Sequence, residues 1–308
     1  MPAAPQPGPP PEALQDFPVR QGVAESFRRT FANLPHFPAA AVLPTVLTVI
    51  LNVFSIRLVV ETVSAPESSN PFAFLVLLLL NYCPYILFSV AWFRLVLLGE
   101  ERARPSFLSG WTLRHWRFLR YVFAIIGIAM LASMIATMLA SLLVGLLFGA
   151  AMPASEGGIT GGLFLTAFLV TSAVMVMMLR FSFVFPAAAV DETYGLAMSW
   201  RHTKGQALRI FAAALLIALP FAVVASVIGG LFSPPLQVTG VEGEAAAAAP
   251  ELSFGLGFFL LEGVMGLLGY LMTAVLIQMI ALAFQLCTGW VPDDGAGPPA
   301  LRHDDAHS

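Results

Sequence analysis

The sequence predicts an all-α integral membrane protein with six transmembrane helices, amphipathic cytoplasmic interfacial segments and both termini in the cytoplasm. Three observations lead there. First, residues 30–56, 68–93, 121–155, 157–179, 210–241 and 263–292 contain no Asp, Glu, Lys or Arg. Each stretch supplies the ~20 residues a helix needs to cross ~30 Å of hydrocarbon. Second, 58% of residues are hydrophobic and 11% charged, with a mean hydropathy of +0.84. A soluble domain has roughly 45–50% apolar and about 25% charged residues, too few apolar runs to resemble this chain. Third, the cations alternate from gap to gap: 14 of the 15 Lys and Arg fall on one side of a six-span arrangement, leaving Arg57 on the other. Short basic loops stay cytoplasmic, which orients the chain.

Four segments follow from this pattern. Residues 1–18 are rich in proline and are expected to be extended or disordered. Residues 1–11 have neither a basic n-region nor an apolar h-region, so the first span is expected to act as its own insertion signal. Residues 19–36 place Val23, Phe27, Phe31 and Leu34 at spacings of four, four and three, with Arg20, Arg28 and Arg29 beside them. That pattern fits an amphipathic helix lying in the interface, or one packed on the bundle's own loops. Residues 37–289 are expected to form the six-helix membrane domain, and 290–308 a disordered cytoplasmic tail.

The spans are expected near 38–60, 72–98, 119–149, 161–187, 209–232 and 253–288. The third and sixth are longer than a perpendicular crossing requires, so they tilt or project. Pro186 is expected to stop or bend the fourth span, because proline removes a helical hydrogen bond and clashes one turn back. Beyond it, Asp191, Glu192 and Thr193 read as caps of a short helix through Trp200, closed by Lys204-Gly205. Trp111, Leu113, Trp116 and Phe118 interleave with Arg114, Arg117 and Arg120, a composition suited to the headgroup level.

Two segments read alike. The distance from Arg94 to Trp111 is 17 residues and from Arg180 to Trp200 is 20; from Arg94 to Arg120 is 26 and from Arg180 to Arg209 is 29. One three-residue insertion would relate them as a parallel repeat.

Arg94 and Arg180 are the leading site candidates, each inside a span near its cytoplasmic end. With Arg201 and Lys204 they could take lipid phosphate or another anion, since guanidinium binds planar anions bidentately. Alternatively each snorkels, or pairs with Glu100, Asp191 or Glu192. Arg57 and Glu262 should lie toward the outer face, where a mutual ion pair would settle two costly charges. Ser133, Thr137, Ser141, Gly145 and Gly149 form a small-residue ladder that lets another helix approach, within the bundle or between protomers. The five His residues show no metal-ligand spacing, and neither Cys83 nor Cys287 belongs to a metal or disulfide pattern. No catalytic residue, cofactor or metal is expected, and no nucleic-acid partner.

The run Arg180-Phe181-Ser182-Phe183-Val184-Phe185-Pro186, with Asp191-Glu192, Ser199-Trp200 and Thr203-Lys204-Gly205, resembles a known group. So does Trp92-Phe93-Arg94 through Gly99-Glu100. The group comprises uncharacterised bacterial, especially alphaproteobacterial, six-span inner-membrane proteins similar to the membrane domain of glycerophosphodiester phosphodiesterases. The likeness covers about residues 40–288 in hydropathy and those two segments in identities. It implies a topology and an inner-membrane location. The soluble barrel that carries phosphodiesterase activity has no counterpart here, so the resemblance implies no enzyme. The expected role is non-enzymatic: organising or sensing anionic lipid, or supporting a membrane partner or a second copy. The alternative is a small-solute transporter or channel, with Asn52, Asn81, Gln278 or Glu262 lining a hydrated midplane.

Overall fold

The computed structural model describes residues 17–64, 70–103, 110–148, 156–232 and 255–292. Among these residues there are ten α-helices and one 3₁₀ turn, and no strand. They are α1 (Val19–Ala32), α2 (Phe37–Ser64), α3 (Pro71–Leu98), α4 (Glu100–Ala103), α5 (Leu113–Phe148), α6 (Glu156–Arg180), α7 (Val184–Ala189), α8 (Leu196–His202), α9 (Ala207–Phe232) and α10 (Leu256–Thr288). Five of them, α2, α3, α5, α9 and α10, are long and apolar enough to cross a membrane. The α6 helix runs continuously for 25 residues, and its described apolar part is Leu169–Arg180. The fold is therefore that of an all-α multi-pass membrane protein.

Local chemistry sets the helix ends. Asn70 accepts the Phe72 and Ala73 N–H groups on its Oδ1, and Pro71 opens α3 where a missing N–H costs nothing. Gly289, at φ 67°, closes α10 by donating to the Gln285 carbonyl. At the start of α5, the Thr112 N–H donates to His115 Nδ1, so an imidazole does the work of the acidic residue in a capping box.

The α10 helix forms the centre. It touches α1, α2, α3, α7 and α9, while α2, α3, α5, α6, α9 and α1 follow one another around it. One core cluster joins α2, α3 and α10 around Trp92, Phe88 and Tyr270. The other joins α1, α7, α9 and α10 around Phe183, Ile210 and Phe284. The buried residues of α10 run from Tyr270 to Cys287, whereas Leu256, Phe259, Leu260 and Val264 nearer its start are exposed.

The α1 helix packs on membrane-spanning helices of the bundle. It leans against α9 and α10, burying Gly22, Ser26 and Thr30, with the Phe27 ring stacked 6.3 Å from that of Phe221 on α9. Small residues at intervals of four let it approach closely. Phe31 and Leu34, expected on the same apolar face, are exposed, and Arg28 and Arg29 both engage Glu25. Before α1, Phe17 is buried beneath Gly22, and its N–H donates to Gln206 Oε1 at 3.1 Å.

The fourth span breaks earlier than Pro186. Residues 181–183 turn between α6 and α7, and Pro186 sits within α7. The physical reason is the proline's own: its ring excludes the carbonyl of residue 182 from a continuous helix, so the break falls one turn upstream. Asp191, Glu192 and Thr193 do not cap the next helix either. The α8 helix starts after Gly195 without a side-chain cap, and Asp191 and Glu192 are engaged elsewhere.

Candidate functional site

The site candidate builds up from the broken end of α6. A helix ends with carbonyls lacking intrahelical partners. Here the Arg180 carbonyl accepts from Ser199 Oγ at 2.7 Å and Thr203 Oγ1 at 3.1 Å, while the Phe183 N–H donates to Ser199 Oγ. The Ser-Trp and Thr-Lys-Gly residues thus have a local job: α8 folds back and caps α6. The Arg180 side chain completes the joint, with Nη2 donating to the Trp200 carbonyl at 2.9 Å and the guanidinium 3.4 Å from the Trp200 ring centre. Its Nε is buried with no hydrogen-bond partner. Arg201 and Lys204 lie exposed just beyond.

Arg94 is placed differently. Its guanidinium lies at the C-terminal end of α7, with Nη1 donating to the Ala189 carbonyl at 3.1 Å and Nη2 directed at the Arg102 carbonyl at 3.4 Å. The side chain is only 11% exposed. Both candidate arginines therefore use a terminal nitrogen to hold a backbone carbonyl of a following segment. Beyond that their surroundings diverge, because Arg94 faces an acid and Arg180 an indole.

The acid is Asp191, in the left-handed region at φ 67°, which Asp tolerates better than most residues. Its Oδ2 lies 2.5 Å from Arg114 Nε and 3.8 Å from Arg94 Nη1, and its Oδ1 lies 3.8 Å from Arg117 Nη1. Next to it, Glu192 accepts from Trp290 Nε1 at 3.1 Å. Three guanidinium groups thus share one carboxylate where α3, α5, α7 and the end of α10 meet. Arg114 gives Asp191 its Nε, and its side chain is 35% exposed. Arg117 makes an ion pair but no direct hydrogen bond there. Sequence reading placed Arg114 and Arg117 only among the interfacial cations. Their convergence depends on a contact spanning 77 residues that no local spacing reveals.

Beside the cluster on α5, Leu113 and Trp116 expose large apolar surfaces, whereas Phe118 turns inward onto Phe185; Trp200 is exposed at the α6–α8 joint. On α8, His202 Nδ1 lies 2.8 Å from the Tyr194 hydroxyl. Burial, with Arg201 adding to it, holds the His202 imidazole below its usual range. Burial likewise raises the Tyr194 phenol, so this hydroxyl keeps its proton.

Glu262 does not form the expected ion pair with Arg57; a hydrogen bond from Asn52 stands in its place. Glu262 Oε2 accepts from Asn52 Nδ2 at 3.0 Å, and Arg57 is exposed. Spans α2 and α10 run antiparallel, with Thr48 bonded to Tyr270 and Asn52 to Glu262. Arg57, five residues farther on, lies about 7.5 Å beyond the carboxylate's level. Of the small-residue ladder, Ser133 is half-buried and Thr137 exposed, so this part of it does not bury its second rung. Gly149 and the side chains of Ser141 and Gly145 lie outside the described residues.

A feature that the sequence reading missed joins α2 to its neighbours. Thr45, Thr48, Asn52 and Ser55 recur at three, four and three on α2, opposite Glu262, Gly266 and Tyr270 at fours on α10. Thr48 meets the Tyr270 hydroxyl at 2.8 Å, Asn52 meets Glu262, and Ser55 Oγ accepts from Asn81 at 3.2 Å. Thr45 packs so near Gly266 that a Cβ there would come within 3.2 Å. The heptad-like spacing was the available signal, obscured because each residue alone is unremarkable. Gln278, also on α10, is 2% exposed, and its Oε1 has no hydrogen-bond partner.

The chain's class is thus a multi-pass α-helical membrane protein with a basic cluster at one end of its bundle. Comparisons with protein-family models, curated proteins and solved structures gave no match.

Proposed function

We propose that this chain is a six-span bacterial inner-membrane protein with both termini cytoplasmic, which binds anionic lipid headgroups at its cytoplasmic end and catalyses no reaction. The resemblance to the six-span inner-membrane group supports the compartment, and the continuous α6 helix supports the sixth span. One observation carries the binding role: Arg94, Arg114 and Arg117 converge on Asp191, which neutralises only one of them. The surplus charge sits beside exposed Leu113 and Trp116 on the same helix, the pairing of apolar body and basic head that suits the headgroup layer. Arg94 and Asp191 form the frame. Arg114 and Arg117 offer the more exposed donors, with Arg180, Arg201 and Lys204 as a second basic patch on the same side.

A transport role has less support, because Asn52 bonds Glu262 and Asn81 bonds Ser55, tying spans together instead of leaving a polar lining open.

The test is lipid retained by the purified full-length chain, measured by mass spectrometry. Arg114→Gln with Arg117→Gln should lower bound anionic lipid several-fold while leaving thermal stability near wild type, since surface ion pairs contribute ~0–1 kcal/mol. Arg94→Gln should instead lower stability by ~1.5–3 kcal/mol, the worth of a charged hydrogen bond. Unchanged lipid in the double variant overturns the proposal.

A further inference from the structure

At the end of the bundle opposite the arginines lies one ionisable group inside an apolar span. Glu262 is 26 residues before the end of α10, about 40 Å along the helix from the Asp191 cluster. It is half-buried, on the face of α10 that meets Asn52 of α2. An intramembrane carboxylate is costly and normally has a purpose. Asn52 donates to Oε2, while Oε1 has no hydrogen-bond partner among the described residues. Asn81 on α3 bonds Ser55 on α2, and Tyr85, one turn farther along the antiparallel α3, comes level with Asn52. The Tyr85 ring is 42% exposed and backed by Tyr270, with ring centres 5.1 Å apart.

We propose that Glu262, Asn52 and Tyr85 form a site for a primary ammonium group, presented by the headgroup of an aminophospholipid. The chemistry fits in three ways. A carboxylate oxygen with an open lone pair accepts an N⁺–H donor, and charge assistance makes that bond strong. A tyrosine face attracts a cation through its quadrupole. The Asn52 amide holds one carboxylate oxygen by donating to Oε2. A metal ion fits poorly, because no group of three or more His, Cys, Asp or Glu side chains comes together among the described residues. A quaternary choline headgroup offers no N–H and forfeits the hydrogen bond.

The site is independent of the arginine cluster, and the experiment keeps the two apart. The full-length chain is reconstituted in vesicles holding equal ethanolamine and choline phospholipids, then extracted, and its retained lipid is measured. Wild type should enrich the ethanolamine lipid about threefold or more over choline. Glu262→Gln keeps an acceptor for Asn52 but loses the charge, and should bring the ratio to that of the bulk. The Arg114→Gln/Arg117→Gln variant should keep the wild-type ratio. A second arm needs no variant: dicyclohexylcarbodiimide, which enters lipid and attacks protonated carboxyl groups, should label Glu262 more slowly in ethanolamine vesicles than in choline-only vesicles. Equal labelling rates, or an unchanged lipid ratio in Glu262→Gln, overturn the proposal.

Discussion

Gly22 shows how one missing side chain can seat a helix. A Cβ built there would lie 2.4 Å from Cζ of Phe17, whose ring is 1% exposed and so has nowhere to go. Gly22→Ala should therefore cost about 1–3 kcal/mol, the range for overpacking a filled core. Adding Phe17→Leu, which shortens the obstructing group, should recover most of that loss; thermal unfolding in detergent measures both. A double variant no more stable than Gly22→Ala would show that the contact is not the cause. Asp191 teaches a related lesson. The sequence presents it as a cap and as one possible partner of Arg94; it does meet Arg94, and it also gathers Arg114 and Arg117 of α5, which sequence alone does not foresee. Local sequence names the residue but not the partner 77 positions away.

At the scale of elements, the α6–α7–α8 joint separates what pattern reveals from what it hides. Long apolar runs gave the spans because their length and lack of charge are local properties. Pro186 marked a break, but the break lies a turn earlier, since a proline constrains the carbonyls preceding it. The return of α8 onto the Arg180 carbonyl was illegible, because hydroxyl capping across 19 residues leaves no periodic trace. This joint also carries a pH dependence. With its imidazole held below the usual 6.5, His202 binds fewer protons folded than unfolded. Its contribution is fully present above about pH 6.5 and is lost as pH falls below that value. The melting temperature should thus decline between pH 7 and 5. His202→Asn, which keeps a hydrogen-bonding group beside Tyr194, should flatten that decline; an identical slope would exclude His202 as its source.

Considered whole, the molecule is a ring of helices around α10. Composition and cation spacing were enough to indicate a multi-pass helical bundle. They could not indicate which helix stands at the centre, because lipid and neighbouring helices both favour apolar side chains. Hydropathy alone therefore cannot distinguish α10 from α5, although α10 buries most of its apolar window and α5 very little. The proposed orientation has a direct check. Single cysteines at Lys204 and Glu242, in a background lacking Cys83 and Cys287, should react with an impermeant maleimide from opposite faces of sealed vesicles. Labelling of both from one face would contradict the six-span topology.

The position of α10 has a consequence for biogenesis. It leaves the ribosome after every helix that surrounds it, so its neighbours must enter the bilayer before their common axle exists. Until then, the surfaces awaiting Tyr270 and Phe284 are lined by lipid tails, or by whatever the insertion machinery supplies, and assembly closes from the outside in.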